Sequence, residues 1–419
     1  MKSRLSGRKI IFFFALFCSL SFAQGWNNTV TTSISSSDIV GTDLFTNRNG
    51  NNIVTSHFSF PPISRWVKYY LLSSSGTVIR SSTIEGPSQN LSGYPAKVSG
   101  DNNNVYAVYL INGVIRAKKS VNAGISWNTY DLTPQGTGTF YGYDIAFDNN
   151  VNKLHMVYNR GGQTYYYSLR SDNTWGEFQQ VSSYSGYSAP TVSFSQNRVH
   201  VSYEEGSVAK SRDKHLTSWQ TPETVTSSSL EERIHAGNSK LLYFYSEPQQ
   251  GFYLDMYVRQ RDFNGTWSSP FLLHGVLDGV PAAANTFDGK THIVYRAGDI
   301  YYRNYNGSTW SSETTIGTGG PGIPKISSVS NDLFVIWENS TSSYLSYKQY
   351  DANPLTPANF AGGIHDVGWN AYPKITWNAI NEPDVRINGT NGIIVERSKD
   401  FGAFTVVANL SGSTTSYID

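Results

Sequence analysis

Eight residues of this chain are of the kinds that do chemistry, and they recur at a telling place. Asn159, Glu204, Arg296 and Glu338 each stand directly after a short apolar strand ending in an aromatic residue, as in LHMVY (154–158), VHVSY (199–203), HIVY (292–295) and LFVIW (333–337). Tyr143 with Asp144, and Glu232 with Arg233 behind Glu231, stand ahead of other strands of the same family. Carboxylates and arginines beside an aromatic platform suit hydroxyl-rich sugars. A bidentate Arg contact favours an acidic sugar such as a uronate. A glycoside hydrolase needs two carboxylates about 5–10 Å apart, and a lyase needs a base with a charge-neutralising partner. Glu204 and Glu338 are the carboxylates that could face each other from different repeats. The bland alternative is ordinary solvated loop polarity. The eight His residues show no H-x-x-x-H spacing, so no metal site is expected. His155, His200 and His292 hold the same place in their strands, which is what packing in a repeat produces.

The elements that must position these residues form a repeat. A polar turn, a Trp and a short alternating stretch recur in NGSTWSSETTI (306–316), NGTWSSPFLL (264–273), SDNTWGEFQQV (171–181) and LTSWQTPETV (216–225). The marker tryptophans 127, 175, 219, 267 and 310 are 43 to 48 residues apart. Each segment reads as the outer strand of a four-stranded blade. Inner strands carry small residues, such as Ala96, Ala146, Ser193, Ala236 and Ala283, as crowding near an axis requires. Second strands finish at His57, Tyr109, Tyr158, Tyr203, Tyr245, Tyr295 and Trp337; outer strands pass through Trp26, Val78 and the five markers. Both series count seven, and they are offset. The chain starts on an outer strand, WNNTVTTSI (26–34), and the repeat ends near Tyr350 without one. An all-β, seven-bladed β-propeller follows, over residues 24–352, with the N-terminal strand closing the last blade. Its recurrent aromatics are expected to pack blade against blade.

Composition bounds the function. Lys2, Arg4, Arg8 and Lys9 precede the apolar run 10–22, so residues 1–23 read as a signal peptide and the protein as secreted or cell-surface. That run is too short for a comfortable membrane span. Cleavage leaves 28 basic against 31 acidic residues and removes Cys18, the lone cysteine. A net charge of −3 gives no electrostatic case for nucleic acid or an anionic membrane. No disulfide, cysteine-bound metal or cofactor is expected, and the chain is expected to be monomeric.

The turn SVNAGISW (120–127) resembles the Asp-box of sialidase-like (BNR-repeat) propellers: Ser120, Gly124, Ser126 and Trp127 match, with Asn122 where the Asp belongs. In that family the box is a structural hairpin, so the resemblance implies fold rather than chemistry. The family's catalytic set comprises an Arg-Ile-Pro motif, further arginines on the substrate carboxylate, a Tyr–Glu pair and an Asp acid/base. No Arg-Ile-Pro occurs here, Arg233 is the one obvious axial Arg, and no catalytic residue carries over. After the linker DANPLTPANF (351–360), residues 353–419 resemble a partial fibronectin type III domain, a truncated β-sandwich. YPKITWNAINEPDV (372–385), NGIIVERSKD (391–400), FTVVANL (404–410) and TTSYID (414–419) are its strands, with Trp377 as core anchor. Its last strands are expected beyond Asp419. The expected function is binding of a glycan, a polysaccharide or a cell-surface protein. The alternative is a carbohydrate-active enzyme, either a sialidase-like glycoside hydrolase or a polysaccharide lyase, working in the central pocket.

Overall fold

The computed structural model describes residues 25–351, apart from 48, 60–62, 184–185, 216, 228–231, 249–253 and 276–280. Beyond residue 351 it describes 361–367, 370–376, 393–398, 404–410 and 414–418. Gly25–Asp351 is one compact unit, made of seven antiparallel sheets. Blade 1 runs Ile39–Asn47, Gly50–Ser59, Ser64–Leu72 and Val78–Ser88 from inner to outer strand. The inner strands of blades 2 to 7 are Lys97–Gly100, Phe140–Asp148, Thr191–Ser195, Glu232–Ala236, Ala282–Asn285 and Lys325–Val329. Every described element of this unit is a strand.

The seventh blade closes the ring. Its third strand, Tyr344–Asp351, pairs with two N-terminal segments: Trp26 with Tyr350, and Val30 with Tyr347. The expected closure is therefore present, though residues 26–34 form two strand segments, Gly25–Trp26 and Val30–Ser35, rather than one. Without them the third strand would be an unpaired edge.

One aromatic device joins successive blades. Trp127 of blade 2 lies edge-on to Tyr69 of blade 1, with centroids 5.1 Å apart. Trp219 of blade 4 meets Tyr166 of blade 3 the same way, and Trp26 of blade 7 meets Tyr302 of blade 6. Trp310 of blade 6 packs on Phe244 of blade 5, and Trp175 donates its indole N–H to the Tyr130 carbonyl of blade 2. The tyrosine hydroxyls are held from behind. Tyr69 donates to Asn52, while Tyr166 bonds His155 and Tyr302 bonds His292. The recurring histidines thus serve packing, and burial lowers the pKa of His155 and His292. Among the described residues no cluster of His, Cys, Asp or Glu could hold a metal ion.

The turns must let these rings in. Gly124 has φ +81°, and a Cβ there would sit 2.0 Å from the Tyr69 ring. Around it, Asn122 accepts the Ser126 N–H and donates to the Ser126 hydroxyl, so the amide ties the hairpin. Between blades 1 and 7 the Trp is absent, Val78 standing in its place. Here Tyr347 of blade 7 reaches under Gly76 and donates its hydroxyl to the Ser74 carbonyl.

Beyond residue 360, Ala361–Val367, Asn370–Thr376 and Ser416–Ile418 form a three-stranded antiparallel sheet, and Ile393–Ser398 pairs with Phe404–Leu410. The first of these strands, AGGIHDV, was not expected; its paired glycines hide the pattern. Trp377 and the linker 352–360 lie outside the described residues.

Candidate functional site

Each inner strand places one residue directly before a buried aliphatic or Ala: Asp43 before Leu44, Lys97 before Val98, Asp144 before Ile145, Thr191 before Val192, Arg233 before Ile234, Ala283 before Ala284 and Lys325 before Ile326. Five of the seven are charged, and they gather around a funnel of about 380 Å³. Its wall includes Tyr94, Pro95, Tyr143 and Ile323, and its polar groups are Lys97, Arg233, Lys325 and Glu338. An apolar wall with a few convergent polar groups is the usual make-up of a small-molecule pocket.

The charges of this ring are not equally free. An inner strand is a sheet edge, so its backbone groups need partners from outside the sheet. Asp43 accepts the Val98 N–H of blade 2 at 2.9 Å, and Asp144 accepts the Val192 N–H of blade 4 at 3.2 Å. Asp144 also pairs with Lys97 at 3.2 Å. Thr191 and Ser193 accept from Ile234 and Ala236 in the same manner. Two aspartates and one lysine are therefore committed to tying blades together.

Arg233 and Lys325 are not. Neither has a hydrogen bond or ion pair among the described residues, and the Arg233 Nε is buried without a partner. Burial, together with the Arg233 and Lys97 charges, lowers the pKa of Lys325 to about 7 against the pull of Asp43 and Asp144. The residue lines the funnel and is half-buried. Two cationic side chains without a hydrogen-bonded or ion-paired partner among the described residues therefore face one cavity.

The eight residues singled out in the sequence divide. Tyr143, Arg233 and Glu338 line the funnel, and Asp144 stands beside it through Lys97. The Tyr143 hydroxyl is turned into blade 2, between the Pro95 and Val108 carbonyls at 2.8 and 3.0 Å, so only its ring is offered. Burial raises the Glu338 carboxyl above its usual range, with Arg296 opposing. Arg296 donates to the Gly320 carbonyl and holds the loop that leads to Pro321 and Gly322 of the wall. Asn159 is buried and donates to the Gly186 and Ser188 carbonyls, pinning the loop into blade 4. Glu232 is buried off the funnel, where it accepts from Tyr243; burial, with the Glu204 charge, pushes it up to about 8 against that hydrogen bond. Glu204 is outside the funnel wall, and Glu231 is outside the described residues.

Lys325, Lys97, Asp43 and Tyr94 were not singled out in the sequence. The signal was present: a charged residue just before the buried aliphatic of five of the seven inner strands. Tyr141 precedes the funnel residue Gly142, and its ring meets the exposed Tyr187 edge-on at 5.1 Å.

No model of a known protein family matches the chain, and no curated protein matches it in sequence. Among solved structures, AofleA from Arthrobotrys oligospora is similar at 12% identity and TM-score 0.47, over 70% of this chain and 91% of that one. The SapL1 lectin in complex with alpha methyl fucoside is similar at 12% identity and TM-score 0.47, over 66% and 96%. The sialidase of Trypanosoma rangeli in complex with the inhibitor DANA is similar at 10% identity and TM-score 0.42, over 78% and 69%. At this distance none of them assigns a function. The class of protein rests on the strand pairing itself, which is that of a seven-bladed β-propeller.

Proposed function

We propose that this chain is an exported binding propeller that takes the acidic end of a glycan in its axial funnel. The observation that carries this is the pair Arg233 and Lys325, cations without partners among the described residues, set in an aromatic- and proline-lined cavity. A uronate carboxylate supplies the missing anion, and Tyr94, Tyr143 and the neighbouring Tyr141–Tyr187 pair offer ring surface to a sugar's C–H faces. Binding is favoured over hydrolysis because, among the described residues, the funnel offers no second disengaged carboxylate. Asp43 and Asp144 hold backbone N–H groups and Glu232 lies elsewhere, which leaves Glu338. The strands beyond residue 360 are read as part of a fibronectin type III-like module displayed with the propeller.

Calorimetric titration of the full chain with glucuronate and with glucose tests this reading. Glucuronate is expected to bind more tightly, and Arg233→Ala to cost about 1–3 kcal/mol of affinity at unchanged melting temperature. Wild-type glucuronate affinity in Arg233→Ala overturns it.

A further inference from the structure

A second cavity, of about 250 Å³, opens between blades 4 and 5, away from the funnel residues. It arises where the aromatic joint changes. In blades 3 and 6 the residue paired with the position just before the second-strand marker receives the next blade's Trp and is Tyr166 and Tyr302; in blade 7, where the next blade has no Trp, it is Tyr347. In blades 2 and 5 that residue is apolar, Ala117 and Val258. In blade 4 it is Ser211, opposite Ser202. A hydroxyl stands where other blades put a ring or an aliphatic group, and the Trp267 indole N–H faces it at 3.3 Å. The histidine behind it, His200, bonds Asp213 at 2.9 Å because no tyrosine hydroxyl is there to meet it.

The vacated space is polar. Arg261, only 4% exposed, stacks over Trp267 at 5.1 Å and donates from Nη2 to Asp213 at 2.7 Å. Its Nε is buried without a hydrogen-bond partner and is ion-paired at 3.6 Å with Glu223, whose carboxylate is half exposed. That carboxylate keeps acceptor capacity toward the crevice, which a ligand hydroxyl can fill by donating. Arg198 adds a second guanidinium, bonded at Nη1 to Asn264 at 2.7 Å. Arg198 and Arg261 balance Asp213 and Glu223, so the crevice has no net demand for an ion, in contrast to the funnel.

We infer that this crevice is a second ligand site, specific for a neutral polyhydroxylated molecule of about one sugar ring. One ligand hydroxyl donates to the half-exposed Glu223 carboxylate, and another accepts from the Arg198 guanidinium. The size lies just under the ~300 Å³ at which drug-sized pockets begin, which suits a monosaccharide unit.

The test is a titration of the full chain with D-glucose, D-galactose, D-mannose and D-xylose, by saturation-transfer NMR and calorimetry, in wild type, Glu223→Gln, Ser211→Tyr and Arg233→Ala. At least one neutral sugar is expected to bind saturably. Glu223→Gln should weaken it about tenfold or more, and Arg233→Ala should leave it unchanged. Ser211→Tyr restores the ring of the other joints and should abolish binding; Glu223, being half exposed, supplies a variant that does not depend on core repacking. Absence of saturable binding by all four sugars, or wild-type binding in Glu223→Gln, overturns the site. Loss in Arg233→Ala instead reassigns neutral-sugar binding to the funnel and also overturns it. Glucuronate binding is read separately, so the funnel can stand or fall independently.

Discussion

The rim and the axis of this propeller use the same strands for opposite ends. At the rim, the outer-strand tryptophans of blades 2, 4 and 7 meet third-strand tyrosines of the preceding blade in nearly the same geometry. At the axis, the equivalent position is Asp, Lys, Asp, Thr, Arg, Ala and Lys in turn. Repetition at the rim is what a ring of stacked sheets needs, since every joint solves the same packing problem. Variation at the axis is free to follow a ligand, once the sheet edges there have their hydrogen bonds. The crevice between blades 4 and 5 is a place where the rim takes on the character of the axis: its repeated ring is lost and charge enters.

The sharpest way to break this contrast is to open the rim. Removing residues 24–36 strips the paired segments from blade 7 and exposes its third strand. Loss of a whole strand should lower stability by about 4 kcal/mol or more, read by denaturant unfolding. A melt unchanged by the deletion would show that the seventh blade does not depend on closure.

A smaller rim effect is expected at Tyr347, which works where no Trp is available. Tyr347→Phe keeps the ring under Gly76 but removes the bonds to Ser74 and Asn51 at 2.7 and 3.1 Å. The expected loss is about 1–2 kcal/mol, with glucuronate affinity unaltered. Altered affinity at full stability would mean that rim and axis are coupled.

The same division decides what could be read from residues alone. Seven blades, their offset and the closing strand are legible because Trp-turn and aromatic-ended strands repeat along the chain. Arg233 and Glu338 were visible by their position at strand ends. Lys325 was not, because PGIPKI carries no aromatic marker and the ammonium's isolation depends on which aspartates are already engaged, a matter of blades far apart in sequence. Glu204 and Glu232 looked like a site because they are charged and near strand ends. Glu232 instead fills a buried place between blades, a use that side-chain type does not disclose.

Glu232 gives an axis-side test that needs no ligand. Burial raises its pKa to about 8, so between about pH 4.5 and 8 the native state holds a proton that the unfolded chain releases. Stability from this group is complete below the unfolded pKa and is lost as pH rises through 8. Glu232→Gln keeps an acceptor for Tyr243 without the charge, so it should flatten the fall in melting temperature between pH 5 and 8.5. An identical slope in the variant would assign the proton elsewhere.

Lys325 should give the most informative sign. Its pKa is depressed to about 7 from an ordinary 10.5, so between these values the native state binds fewer protons than the unfolded chain, and stability rises with pH. That contribution is lost as pH falls through 7, where Lys325 must carry a charge beside Arg233. An acidic ligand reverses the preference. It stays ionised well above pH 4 and meets a protonated Lys325 most favourably, so glucuronate affinity should be higher at pH 6 than at pH 8.5 while the free protein is stabilised in the other direction. The other charged groups around this ammonium are Arg233, Lys97, Asp43 and Asp144, with Glu338 in the same wall. Arg233 remains cationic throughout, so binding should weaken with pH rather than vanish. Lys325→Met should remove both slopes at once: affinity becomes nearly level across the range, and the free protein no longer gains stability between pH 7 and 9. Persistence of the binding slope in Lys325→Met would transfer the titration to Glu338. That outcome would leave Arg233 as the anion's sole anchor in the funnel.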